Sequence, residues 1–162
     1  MTRARRRPRA ATGSLLFVLL TLNPISARAQ DGAAIFNDLC ALCHQPNARG
    51  VPGQFPPLAR NPDLFLARDF PARVVLFGLS GRITVNGQDI DSAMPPLGDA
   101  LTDAEIAAVV NYVRGNFGNE ALRPKDMAPL DAGLVAKLRA QKNELADRSF
   151  AYRSELKSSA KN

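Results

Sequence analysis

Hydrophobic positions along the chain fall into stretches of different period, and each period predicts a different element. The longest unbroken apolar run lies within 14–22 and stops at Asn23-Pro24, well short of the roughly 20 residues that cross a bilayer as a stable helix. From Asp31 to Leu42, apolar residues recur near helical spacing at Ala34, Ile35, Leu39 and Leu42, with Asp31 placed as an N-cap. A first helix is predicted there. Residues 45–61 are instead rich in Pro, Gly and Asn and predict a loop. Short helices are expected over about 62–66 and about 71–79, the second ended by Gly78 or Gly81, and Ile83-Thr84-Val85 before Asn86-Gly87 predicts a small hairpin with a tight turn. The strongest helical pattern covers 99–116. Thr102 caps it, Glu105 is the capping-box partner, Ile106, Val109, Val110 and Val113 form one apolar stripe, and Gly115 ends it. Past Asn119 a Pro-interrupted linker (122–129) leads to an amphipathic helix over 130–145, with Lys137, Arg139 and Lys142 on its polar side. The end, 149–162, is polar and expected to fray.

The first apolar run changes the picture once its flanks are read with it. An arginine-rich start, the run itself and small residues at Ala27 and Ala29 have the three-part layout of a secretory signal peptide. Residues 1–29 are therefore expected to be a cleaved leader, cut after Ala29, with the mature chain in the periplasm. The leader holds six basic residues and no acidic one, so the remainder carries fifteen of each sign. The basic character of the whole chain belongs to the leader and gives no argument for nucleic-acid binding. What charge remains is uneven: residues 30–118 are mildly acidic and 119–162 mildly basic.

The only two cysteines and the only histidine lie together as Cys40-Ala41-Leu42-Cys43-His44. The spacing C-x-x-C-H reads as c-type haem attachment: two sulfurs on one helical turn add to the two vinyl groups of a porphyrin, and the next imidazole faces the iron. Three other readings stand beside it. A structural zinc site needs four ligands, and no second Cys/His cluster exists to complete a tetrahedron. A thioredoxin-like redox pair expects a βαβ context. A short disulfide is permitted in an oxidising compartment, but it leaves His44 without a role. Elsewhere, Asp89 with Asp91 and Asp99 with Asp103 read as solvated faces or helix-start charges. Gly78, Gly81 and Gly87 read as turn residues, and no nucleotide motif or serine triad is visible.

Taken together, Gly32 and Phe36, Cys40 to His44, Phe55-Pro56-Pro57-Leu58, Met94-Pro95-Pro96, and Val109 with Tyr112 resemble the class I cytochromes c. The resemblance covers residues 31 to about 118. It implies an all-α cytochrome c fold of about four to five short helices around one haem, here with an additional C-terminal helical tail. It also implies that the first and last helices cross where Gly32 and Phe36 meet Val109 and Tyr112. By the same resemblance the Pro56 carbonyl accepts a hydrogen bond from Nδ1 of His44, and Leu58 packs on the porphyrin. Ser92-Ala93-Met94-Pro95-Pro96, 103–107 and Phe117-Gly118-Asn119 look more closely like haem domains of cytochrome subunits of periplasmic quinoprotein dehydrogenases.

With one histidine in the chain, a sixth iron ligand is Met94, Met127, an amine or tyrosine, or absent. The family pattern selects Met94 in a Pro-flanked loop. A thioether favours reduced iron more than a second imidazole does, and two strong ligands leave no open position for oxygen chemistry. The expected function is electron transfer by one covalent haem c with its iron, as a carrier or dehydrogenase cytochrome subunit, and not as an enzyme. A haem-based ligand sensor or weak peroxidase with an open sixth position is the alternative. The expected division is a leader (1–29), a haem domain (30–118) and a linker with an amphipathic, partly disordered tail (119–162). The implied partners are a redox protein donor, such as a quinoprotein dehydrogenase, and an oxidase or cytochrome acceptor. The basic tail adds a peripheral contact with an anionic membrane surface.

Overall fold

The computed structural model describes residues 31–160; the expected leader and its cleavage position lie outside them. Asp31 opens the first helical stretch as predicted, its carboxylate accepting from the backbone N–H of Ala33 and Ala34. The stretch is built as α1 (Gly32–Ile35), a single π turn (Phe36–Cys40) and α2 (Ala41–His44). The π turn inserts one extra residue where the chain enters the cysteine motif, and Cys40 is its last residue, a placement common at functional positions. Its physical mark is the Ala41 N–H donating to the Phe36 carbonyl.

A short 3-10 turn (Pro62–Phe65) and α3 (Phe70–Phe77) follow, the latter ended by Gly78 at φ 79°. The long helical pattern forms α4 (Asp103–Arg114), shorter than predicted at its start because Thr102 adopts extended backbone and closes a complete capping box with Glu105. Gly32 lies against this helix so closely that a Cβ there would collide with the Ala108 backbone and lie 2.8 Å from Tyr112 Cβ. Phe36, fully buried, stacks at a tilt on Tyr112 and Phe117 at 5.8 and 4.9 Å, and shares a core cluster with Val109. The crossing of first and last helices is thus made by the residues expected, with Ala108 as the direct neighbour of Gly32.

The expected all-α class needs correction, because residues 79–94 form a two-stranded antiparallel sheet. Strands β1 (Leu79–Val85) and β2 (Gln88–Met94) pair from Leu79↔Met94 to Val85↔Gln88. The turn chemistry was visible: Asn86 and Gly87 both have positive φ, 49° and 75°, as a two-residue hairpin turn requires. What extended the ladder to seven residues per strand is a buried face of Ile83, Val85 and Ile90, a contact period-2 reading of the weakly apolar second strand does not reveal.

The tail also departs from expectation. The helix foreseen over 130–145 breaks at Gln141 into α5 (Ala132–Ala140) and α6 (Lys142–Leu145). Leu130, Val135 and Leu138 are buried in one cluster with Ala72, Leu76, Ile106 and Val110. The Asn111 side chain clips the tail on both sides, donating to the Leu130 carbonyl at 2.7 Å and accepting from its N–H at 2.9 Å. The polar segment expected to fray is α7 (Ser149–Ser159), packed on α3 and β1. Phe150 fills the space above Gly81, Tyr152 lies under the Arg73 guanidinium at 4.0 Å, and Arg153 is buried. Composition alone underrated this helix because its contacts are aromatic and ionic ones made at long range.

Candidate functional site

His44 closes α2 and is 8% exposed. Its Nδ1 lies 2.9 Å from the Pro56 carbonyl oxygen; a carbonyl only accepts, so Nδ1 carries the proton and Nε2 keeps its lone pair. Burial, the larger influence, holds the histidine below its usual pKa, against the raising effect of the Pro56 hydrogen bond. The imidazole is therefore neutral at neutral pH, the form that ligates a metal.

The loop that presents Pro56 is shaped by backbone close to His44. Gly50 has φ 64°, its N–H donates to the His44 carbonyl at 2.8 Å, and a side chain there would strike the Phe55 and Pro56 carbonyls. The Ala48 carbonyl accepts from both Leu58 and Ala59 N–H at 2.8 Å. Asn119, fully buried, donates to the carbonyls of Leu58 and Val113 at 2.9 and 2.8 Å and accepts from Asn61 N–H at 2.9 Å. These bonds tie the Pro56–Leu58 segment to the end of α4. Sequence reasoning missed Gly50 and Asn119 as supports of the site. Gly50 could have been suspected from its place in the loop, whereas a buried Asn whose partner Leu58 lies 61 residues away leaves no local signal.

Cys40, Cys43, His44, Pro56, Leu58 and Met94 all line one cleft. It measures about 1370 Å³ with the space at its mouth that opens to solvent, and its other walls are largely apolar, among them Leu64, Val75, Ile83 and Val109. Close-packed interiors leave few voids larger than a water molecule, so a cleft of this size and polarity fits a large, flat, apolar ligand. Met94 differs from expectation in one respect. It ends β2, opposite Leu79, where a Pro-flanked loop was foreseen. Met127 is not in the lining.

The cysteines are unbridged, Cys40 half-buried and Cys43 exposed. Burial first, then the neighbouring Cys43, pushes the Cys40 thiol up to about 11. Among the described residues no group of three or more His, Cys, Asp and Glu side chains converges as a metal cage, and no βαβ unit surrounds the pair. The zinc and thioredoxin-like readings thus gain nothing from the fold. Two cysteines on the cleft wall, a neutral imidazole with a free Nε2 and an apolar cleft behind them suit a haem held by two thioether bonds.

Comparison with known proteins points the same way. A family model described as Cytochrome c matches residues 29–116. The chain is 40% identical over 131 residues to "Cytochrome c-552" of Thermus thermophilus, covering 78% of this chain and 86% of that protein. It is also 40% identical over 94 residues to "Alcohol dehydrogenase (quinone), cytochrome c subunit" of Gluconobacter oxydans, covering 56% of this chain and 19% of the relative. With "Gluconate 2-dehydrogenase cytochrome c subunit" of Pantoea cypripedii it shares 33% identity over 107 residues, 63% of this chain and 24% of the other. Covalent haem c with its iron is the cofactor of such proteins, and electron transfer, as a carrier or as a dehydrogenase subunit, is their function. The match over more than half its length, the near full-length relative and the cleft beside Cys40, Cys43 and His44 together establish that this chain belongs to the cytochrome c family.

Proposed function

We propose that Cys40 and Cys43 hold the haem by thioether bonds, that His44 Nε2 and the Met94 sulfur are its axial ligands, and that the protein passes single electrons in the periplasm. The observation that carries this reading is the shared cleft: all four side chains line it, although they come from the first helical stretch and from the end of β2. Bound there, haem c supplies a one-electron ferrous/ferric couple. The Pro56 carbonyl fixes the His44 ring through Nδ1 and makes Nε2 a better donor. The ladder partner Leu79 and the following Pro95-Pro96 hold Met94 at one place, and Leu58, Ile83 and Val109 keep water from the cleft. An apolar, firmly built wall moves little when charge changes, which favours outer-sphere transfer.

Cys43 and the strongly exposed Leu42 (74%) put the thioether side at the surface, where an electron partner can approach. The donor is proposed to be a dehydrogenase of the quinone-dependent kind named among the relatives, and the acceptor an oxidase or another cytochrome. No helix among the described residues is long and apolar enough to cross a membrane. Contact with an anionic membrane through the basic tail remains part of the proposal, and so does export by the leader.

The test is the visible and near-infrared spectrum of protein matured with haem ligase, for wild type and Met94→Ala. A weak sulfur-to-iron charge-transfer band in the ferric wild type, lost in Met94→Ala together with a fall in potential, supports the closed-site carrier. Absence of that band with ready binding of carbon monoxide to the reduced wild type transfers the proposal to a ligand sensor or weak peroxidase.

A further inference from the structure

Between the end of β2 and the start of α4, residues 95–102 form no regular element. Pro95 and Pro96 have no N–H to give, and the turn that follows closes on itself, the N–H groups of Ala100 and Leu101 donating to the Leu97 carbonyl. Yet this segment continues the chain directly from Met94, and Met94, Pro95 and Leu97 all line the cleft. It rests on α3. The Leu97 N–H donates to the Val75 carbonyl at 2.8 Å, and Gly98 sits so close that a Cβ there would lie 2.8 Å from the Leu76 carbonyl oxygen.

A second hold comes from a single side chain of the tail. Arg139, on α5 and beyond the residues matched by the family model, spreads its guanidinium over three points. Nη1 donates to the Gly98 carbonyl, Nη2 to the Leu101 carbonyl at 2.8 Å, and Nε to Asp103 Oδ1 at 2.7 Å in the first turn of α4. Among the described residues neither carbonyl accepts from a backbone N–H. Lys142 of α6 adds a looser ion pair with Asp99 at 3.7 Å. The guanidinium has a firm base of its own, because the preceding residue, Leu138, is buried in the cluster that contains Leu76 and Leu101.

A planar fork that meets two carbonyls and a carboxylate at once fixes their mutual placement, which a single flexible donor does not. All three bonds oppose any movement that swings the segment off α3 and carries Met94 with it. On the reading that Met94 ligates the iron, we propose that Arg139 is a positioning residue: it brackets residues 98–103 and so keeps the Met94 sulfur from leaving the cleft. An added ligand that reaches the iron only after Met94 has left binds in proportion to the fraction of molecules that have opened. The tail thereby sets how readily the sixth position is exchanged. It does so from outside the cleft, since Arg139 is not among the lining residues.

The experiment measures the imidazole affinity of the full-length, haem-loaded ferric protein by spectrophotometric titration, with the sulfur-to-iron band recorded in each sample. Arg139→Met keeps an unbranched stem but loses the fork, and imidazole is expected to bind about 10-fold more tightly because the three bonds no longer oppose opening. Arg139→Lys keeps the charge beside Asp103 and reaches one carbonyl at a time, so its rise is expected to be smaller. Gly32→Ala is the control: it weakens the fold at the crossing of α1 and α4, away from this segment, and is expected to leave the affinity unchanged. A wild-type affinity in Arg139→Met, or in Arg139→Lys should the first variant not fold, overturns the proposal. An equal rise in Gly32→Ala overturns it too, since opening then follows global stability. In either case a sulfur-to-iron band in the wild type leaves Met94 ligation standing, whereas a wild type without the band overturns both readings.

Discussion

Met94 stands directly opposite Leu79 at the open end of the β1–β2 ladder. The methionine proposed to ligate iron is therefore held by a hairpin whose turn, Asn86-Gly87, lies at the far end. Its position depends on how well that hairpin keeps its register. Gly87 has φ 75° and open space where a Cβ would lie, so Gly87→Val strains the turn without a clash, by about 1–2 kcal/mol. If that strain loosens the Met94 end, exogenous imidazole binds the ferric iron up to about 10-fold more tightly. Spectrophotometric imidazole titration measures it, and an unchanged affinity means that the hairpin does not hold Met94.

Gly32 is required by its contact with Ala108, not by its backbone angles. Gly32→Ala places a methyl group in the α4 backbone and is expected to cost about 1–3 kcal/mol as an overpacked core contact. Denaturant unfolding of the haem-loaded protein reads this as a lower midpoint with an unchanged slope. A neutral result means that the two helices separate without cost at this crossing.

Leu138 is 4% exposed and packs with Leu76, Ile106 and Val110, which makes the tail part of the core. Leu138→Ala is expected to destabilise the protein by about 2–5 kcal/mol, seen in the same unfolding measurement. A tail that merely fringed the domain gives no such loss.

Tyr152 ionises late. Burial first, then its 2.9 Å hydrogen bond to Asp69 and the charge of that carboxylate, push its pKa up to about 12, against the opposing effect of Arg73. The unfolded phenol ionises near 10. The contribution of neutral Tyr152 to stability is thus complete below about pH 10 and is lost as pH rises through about 12. Ultraviolet titration of wild type against Tyr152→Phe is expected to show a late tyrosinate component that only the wild type has. If the component survives in the variant, it belongs to the other tyrosine.

How much of this was legible beforehand depended on the range of the interactions. The cysteine motif, the capping box of Thr102 and Glu105, the Asp31 cap and the Asn86-Gly87 turn are each made within a few residues. Local sequence therefore determined them, and through them the kind of cofactor and most helix starts. Family likeness added the Pro56 bond to His44 and the crossing at Gly32 and Phe36. Only the tertiary structure decided the rest: the length of the hairpin that carries Met94, the Asn119 bridge, and the docking of α7 that brings Arg153 to Asp63 across 90 residues. Burial is what distinguishes these contacts. A polar side chain becomes a structural partner only where the fold removes water from it, and no pattern of neighbouring residues records which distant group will replace that water.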